Sequence, residues 1–380
     1  MSTTRSRATR IAVGASAALA LLIGSACSTS RSSTRHPTSS TATDRTTTVA
    51  ESPSSGDVAS WRKLVAPNPC GCSDGSPFHF WVHRGDPSKV LFFLDGGGAC
   101  FSRATCGPDQ PTYTRNLTGN TSPTDSGGIF DLENPKNPFR DFSIVRVPYC
   151  TGDVHLGDAV HDYGDGVVIR HRGNVNAGTA LTTTAALFPD AEQVVVAGES
   201  AGSAGSPLYA GLAHDAFPDA AISLVADGSA AYPGTEGITL AIGSLWGVTN
   251  AIPTWPETAG RPTRDFSLPG LFGYAKRHDP TLRVATINHA YDRTQEEFTR
   301  AAGFGDTDLL KLIDDNIAQI KADGVTVHDW VAPGRAHTII GTSGFYTARV
   351  NGVALVDWLG DFVSGKDVPD EHCTDCHAES

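Results

Sequence analysis

Gln193-Val194-Val195-Val196-Ala197-Gly198-Glu199-Ser200-Ala201-Gly202 is the stretch on which the rest of the chain is read. A short apolar run of strand length ends in a serine that has glycine two residues before it and two residues after it. A nucleophile raised on a tight turn between a strand and a helix needs such neighbours, because the two limbs of the turn pass within contact distance of each other. The spacing predicts a strand over 193–197, a helix after it and Ser200 at the junction as the nucleophile. Ser203 has no glycine two residues before it and ranks behind Ser200.

Seven further runs of the same kind lie outward from this turn, at 78–82, 90–94, 142–147, 167–170, 222–226, 282–287 and 325–331. Helix-length spacers, such as 175–187 and 308–321, separate the later ones, and a last helical pattern covers 350–363. This alternation predicts an α/β fold: an eight-stranded, mainly parallel sheet with helices on both faces. The turn-rich stretch 84–89 reads as the connection of a hairpin between the first two strands. Residues 230–280, between the sixth and seventh strands, are too long for a simple crossover and carry Trp246, Trp255, Phe266, Phe272 and Tyr274. They read either as a cap over the site or as a packed insertion.

Residues 58–380 are expected to form the single folded domain. Before it, Arg5, Arg7 and Arg10 precede an uncharged stretch ending in small residues and Cys27, the pattern of an export signal over 1–26. Gly24-Ser25-Ala26-Cys27 is similar to a bacterial lipid-attachment site, with a lipid on Cys27 as the expected membrane link. Residues 27–57 are Ser-, Thr- and Pro-rich and too poor in apolar side chains to fold, which makes them a tether. The expected place is outside the cytoplasmic membrane, lipid-anchored or otherwise secreted.

The chain carries 29 Lys plus Arg against 41 Asp plus Glu, a formal charge of −12. Acidity of this kind argues against nucleic acid as a partner, since few cations are available to displace phosphate counterions. Seven cysteines remain after Cys27. In an exported chain they read as three disulfides and one odd thiol, and Cys100 with Cys106, closing a small loop, is the best single pair. A competing reading gathers Cys70, Cys72, Cys373 and Cys376 around a metal, from their CxC and CxxC spacings.

A serine hydroxyl needs a base, and the base needs an orienting carboxylate. With the nucleophile on a strand-to-helix turn, both follow it in the chain, acid before histidine. His337 lies in a loop after the last strand and is the candidate base; His328 falls within the strand run. Asp292 follows the seventh strand and Asp227 the sixth, and Asp292 is preferred as the acid. Charge developing on a carbonyl oxygen must be met by preplaced N–H groups. Ala201 supplies one, and Gly97 and Gly98, in the glycine triplet after the second strand, supply the others. This chemistry calls for no cofactor and no metal.

Several of these segments, taken together, resemble one family. Leu94-Asp95-Gly96-Gly97-Gly98-Ala99-Cys100, with Cys106, is similar to the oxyanion segment of the pectin acetylesterase and Notum-like carboxylesterases. The segments 148–158, 172–173, 198–202, 226–229 and 290–295 follow in that family's order, over roughly residues 70–340. The resemblance implies an α/β-hydrolase that removes an acetyl or other short or fatty acyl group from a hydroxyl, on a small-molecule or polysaccharide ester, with Asp292 as the acid. Three positions depart from the family's pattern: Gly98 stands where Trp is common, Glu199 where Cys precedes the nucleophile, and Thr338 where Cys often follows the histidine. Loss of a bulky wall at Gly98 implies tolerance of longer acyl chains. Acyl transfer or peptide cleavage by the same residues, and a catalytically inactive binding lipoprotein, are the alternative readings.

Overall fold

The computed structural model describes residues 61–377 apart from 110, 119–122, 124–126 and 306–307, and among the described residues it forms thirteen strands and eight α-helices. The export signal expected over 1–26 and the tether over 27–57, with Cys27, lie outside the described residues. The strands are β1 Trp61–Val65, β2 His79–His83, β3 Asp86–Leu94, β4 Phe142–Val147, β5 Ala159–Asp162, β6 Val168–His171, β7 Gln193–Glu199, β8 Ala221–Asp227, β9 Arg283–His289, β10 Val327–Ala332, β11 Arg349–Val350, β12 Val353–Ala354 and β13 Glu371–His372. The helices are α1 Arg103–Cys106, α2 Gly173–Leu187, α3 Ala201–Ala216, α4 Glu236–Trp246, α5 Leu268–His278, α6 Arg293–Ala301, α7 Leu309–Ala322 and α8 Leu355–Val363.

Nine strands make one sheet in the order β1-β2-β4-β3-β7-β8-β9-β10-β13. β2 runs antiparallel to both β1 and β4, and every other neighbouring pair is parallel. The continuous apolar runs are explained by burial on both faces, since successive side chains point to opposite sides of a strand. Phe92 and Val196 belong to a core shared with Ala177 of α2, Tyr209 of α3, Phe272 of α5 and Ile313 of α7. Phe93 and Val195 belong to the opposite core, with Trp330, Trp358 and Phe362.

The expected α/β architecture stands, with four differences in detail. The sheet has nine strands rather than eight, because β1 and β13 join its edges while one expected strand lies outside it. The run at 167–170 forms β6, which leaves the sheet and pairs antiparallel with β5. Its residues alternate between exposed and buried, unlike the fully buried central strands. β2 and β3 do not form a hairpin, because β4 inserts between them. The helix expected over 350–363 begins only at Leu355. Asn351 (φ 50°) and Gly352 (φ 87°) form instead the two-residue turn joining β11 to β12, a geometry that Asn-Gly favours.

Three disulfides are present among the described residues: Cys100–Cys106, the expected pair, together with Cys72–Cys150 and Cys373–Cys376. Cys70 is unpaired. The four-cysteine metal set is therefore overturned, since three of its four sulfurs are bonded to other sulfurs. Among the described residues, no helix is long and apolar enough to cross a membrane.

Candidate active site

The carboxyl ends of β3, β7, β8, β9 and β10 converge, which is where an open parallel sheet places its ligands. Ser200 follows β7 with φ 52° and ψ −117° and caps α3. The turn is as tight as its glycines imply. A Cβ on Gly202 would lie 2.0 Å from the Leu94 carbonyl oxygen, and one on Gly198 would lie 2.4 Å from the Gly202 backbone. The Ser200 N–H donates to the Asp227 carbonyl at 2.8 Å, which ties the turn to the end of β8.

Asp292 caps the N-terminus of α6: its Oδ1 accepts the N–H groups of Thr294 (2.9 Å) and Gln295 (3.1 Å). Its Oδ2 accepts from Gln295 Nε2 at 3.1 Å and from His337 Nδ1 at 2.7 Å. The backbone brings these two residues together, because the loops after β9 and β10 are zipped. Ala290, Tyr291 and Arg293 donate to the carbonyls of Ala332, Gly334 and Arg335, respectively. The C-terminal tail adds a further tie, as Gly334 N–H donates to the Cys376 carbonyl at 3.0 Å and the Tyr291 ring stacks on His377.

The second carboxylate, Asp227, makes a different set of bonds. It is fully buried, and its Oδ2 accepts the N–H groups of Ile339 (2.7 Å) and Ile340 (2.9 Å), so it anchors the loop just beyond His337 rather than the ring. Burial pushes its carboxyl up to about 6, against the pull of those two N–H groups and of His337. His337 Nε2, the nitrogen that would take a proton, is buried and has no partner among the described residues. Burial alone would depress the imidazole. The hydrogen bond to Asp292 and the negative charges of Asp292, Asp227 and Glu199 outweigh it and leave His337 above the ordinary histidine value.

The loop after β3 runs beside the serine: a Cβ on Gly96 would lie 2.9 Å from that of Ser200. His155 Nε2–H donates to the Asp95 carbonyl at 2.9 Å, and Arg146 pairs with the Asp95 carboxylate at 2.8 Å, which fixes the start of this loop. No described residue accepts the N–H of Gly97, Gly98 or Ala201. His328, the competing histidine, bonds the Val368 carbonyl through Nδ1 and packs edge-on against Phe362, away from Ser200.

The family model of the pectinacetylesterases matches residues 63–232. Among curated proteins, the chain is 36% identical over 90 residues to the inactive palmitoleoyl-protein carboxylesterase notum1b of Danio rerio, covering 23% of this chain and 65% of that one. It is 34% identical over 90 residues to the palmitoleoyl-protein carboxylesterase NOTUM of Homo sapiens, covering 23% and 18%. The solved structure of the Wnt deacylase Notum from Drosophila superposes with a TM-score of 0.61 at 16% identity, over 83% of this chain and 97% of that one. In sequence over these stretches, and in fold over most of its length, the chain is similar to the pectinacetylesterase and Notum-like carboxylesterases. Its fold is an α/β-hydrolase fold, shared with that Drosophila structure. The matched stretch spans less than two thirds of the length of either curated relative, and one of them carries "inactive" in its name. Similarity to these proteins therefore does not carry activity with it.

A cavity of about 260 Å³ opens at Ser200, and its walls are nearly all apolar. Phe101 and Val154 form one side; Ile242, Leu245 and Trp246 of α4, with Phe298 and Phe304, form the others. The two readings of 230–280 thus divide the segment between them. α4 covers the cavity, whereas Trp255 is buried against Gly211 and stacked on His278 as part of the packed body. Gly98 lines the cavity beside Ser200. A Cβ there would lie 2.0 Å from the Thr112 carbonyl oxygen, with φ at +79°, so the backbone as it stands leaves no room for a side chain at this position. Sequence reasoning missed this contact because Thr112 approaches through a loop with no periodic pattern. It also missed the anchoring role of Asp227, which is legible only once the loop 337–340 is seen lying over it.

Proposed function

We propose that this chain is an exported serine carboxylesterase in which Ser200, His337 and Asp292 act as nucleophile, base and orienting acid. The single observation that carries the reading is the 2.7 Å bond from His337 Nδ1 to a fully buried Asp292, which leaves Nε2 as the proton acceptor at a site whose cavity is lined by Ser200. Ser200 Oγ attacks the ester carbonyl as its proton passes to His337 Nε2, and the N–H groups of Gly97, Gly98 and Ala201 receive the charge on the oxygen. Collapse expels the alcohol, which takes the proton from His337. A water activated by the same imidazole then releases the acid from the acyl-enzyme. Hydrogen bonds between catalytic groups tighten when substrate binds, so an unmade serine–histidine bond in the free protein is compatible with this scheme.

The apolar cavity fits the acyl side of an ester, acetyl or longer, and leaves the alcohol to face solvent. A fluorophosphonate probe followed by peptide mapping tests the assignment: label on Ser200 supports it, and no label, or label elsewhere, defeats it. Acyl preference gives a second check. Ile242→Trp, which would fill the cavity from α4, is expected to lower kcat/KM for octanoyl esters about 10-fold or more relative to acetyl esters, the discrimination that a few methylenes allow. An unchanged ratio would show that this cavity does not hold the acyl chain.

Export is supported by the N-terminal signal pattern and by three disulfides, which persist in oxidising compartments. A lipid on Cys27 would hold the enzyme at the membrane surface. Cys27→Ser should move it from the membrane fraction to the soluble one, and equal partition of the two forms would remove the anchor.

A further inference from the structure

Glu199 is the residue of the nucleophile turn that the reaction above leaves unused. It ends β7 in register with Asp227 of β8, and its side chain is wedged between two loops. A Cβ on Gly341, beyond His337, would lie 2.5 Å from its Oε2, and one on Gly96, in the loop after β3, would lie 3.5 Å from its Cγ. No described residue hydrogen-bonds its carboxyl group, so what it does there it does by charge.

The charged groups facing it come from every element packed around it: Asp95 at the end of β3, Arg146 on β4, Asp227 at the end of β8 and His337 after β10. Burial first, then Asp95 and Asp227, push its carboxyl up to about 7, against Arg146 and His337. The influence is mutual. His337 is faced by Asp292, Asp227 and Glu199, which favour its cation, and by His289, which burial keeps below the usual histidine value.

We propose that Glu199 is a positioning residue of this esterase, acting through His337: its carboxylate holds the imidazolium form by charge across the gap between the two loops. The proposal rests on the reading of His337 as the base. Asp292 orients the ring by a hydrogen bond, whereas Glu199, pushed up to about 7, changes charge near neutrality. Two groups that interact while titrating over the same interval lose their protons as a coupled pair. The acid limb of kcat/KM is then broader than a single ionisation gives.

An anion beside an imidazole favours its protonated form, so removing the anion lowers the pH at which the ring becomes neutral. Glu199→Gln keeps the shape and removes the charge. It is expected to move the acid limb of kcat/KM to lower pH by roughly 0.5 to 1 unit, sharpen it to one ionisation and lower the alkaline plateau of kcat several-fold. Glu199→Asp, which keeps the charge, should return the midpoint toward that of the parent. A limb unmoved by the Gln change overturns the proposal, whatever happens to the rate, because a packing role alone would scale activity without shifting its pH dependence. Where the Gln variant does not fold, the ring resonances of His337 in the unaltered chain decide: a two-step titration supports the proposal and a single step overturns it. Failure of the esterase reading itself would be seen separately, as undiminished turnover in Ser200→Ala.

Discussion

Ser200→Ala is expected to lower kcat by about 10⁴-fold or more, with little change in thermal stability. Turnover should collapse because the hydroxyl is the only atom proposed to form the acyl bond, and His337 has no other nucleophile to activate. Stability should hold because the turn is maintained by other atoms: the Ser200 N–H on the Asp227 carbonyl, and the close passage of Gly198, Gly202 and the end of β3. Alanine retains the Cβ and therefore the same strain at φ 52°. Residual activity above the uncatalysed rate should persist, since the N–H groups that receive the oxyanion are untouched. Steady-state kinetics beside a melting curve make the test. Near-normal turnover in a folded variant would end the proposal, and a large loss of stability would show the hydroxyl to be part of the scaffold.

Asp292→Asn should cost about 10⁴-fold in kcat, and Asp227→Asn about 10-fold at most, with its larger effect on stability, about 1 to 3 kcal/mol. The ranking comes from what each carboxylate accepts. At Asp292 one oxygen holds the first turn of α6 and the other takes the Nδ1–H of His337. An amide that keeps its oxygen on α6 must turn its NH₂ toward the ring. The ring then adopts the tautomer whose Nε2 carries the hydrogen and cannot receive one from serine. At Asp227 a single oxygen accepts both N–H groups of the loop, and an amide oxygen can do the same. The NH₂ would replace the oxygen that is already buried without a partner, a cost to folding more than to proton transfer. Measured kcat values in the opposite order would exchange the roles of the two acids.

The nucleophile turn was legible in the sequence because its constraint is local: the two limbs can cross closely only where glycines stand two residues either side of the serine. The central strands were legible for a related reason, since burial on both faces writes itself as an unbroken apolar run. What was not legible depends on distant chain. β1, with Arg62 and Lys63 in its middle, reads as polar until it pairs along β2. β13 is only two residues long and exists by virtue of β10. The Asn351-Gly352 turn carried a clear local signal that the apolar periodicity of 350–363 overrode. Asp227 ends β8 and Asp292 lies three residues beyond β9, and in the sequence both read alike as an acid at a strand's end; their hydrogen bonds distinguish them. The close approach at Gly98 could not be inferred, because what a side chain there would meet is the carbonyl of Thr112.

The tie between the C-terminal tail and the histidine loop bears on when the site comes into being. A ribosome delivers the chain from its N-terminus, so Ser200 and the loop after β3 are available long before residues 371–377. Gly334 cannot find the Cys376 carbonyl, nor Tyr291 the His377 ring, until that last segment has emerged. The nucleophile turn can therefore form while the loops that present His337 and Asp292 still lack their final brace.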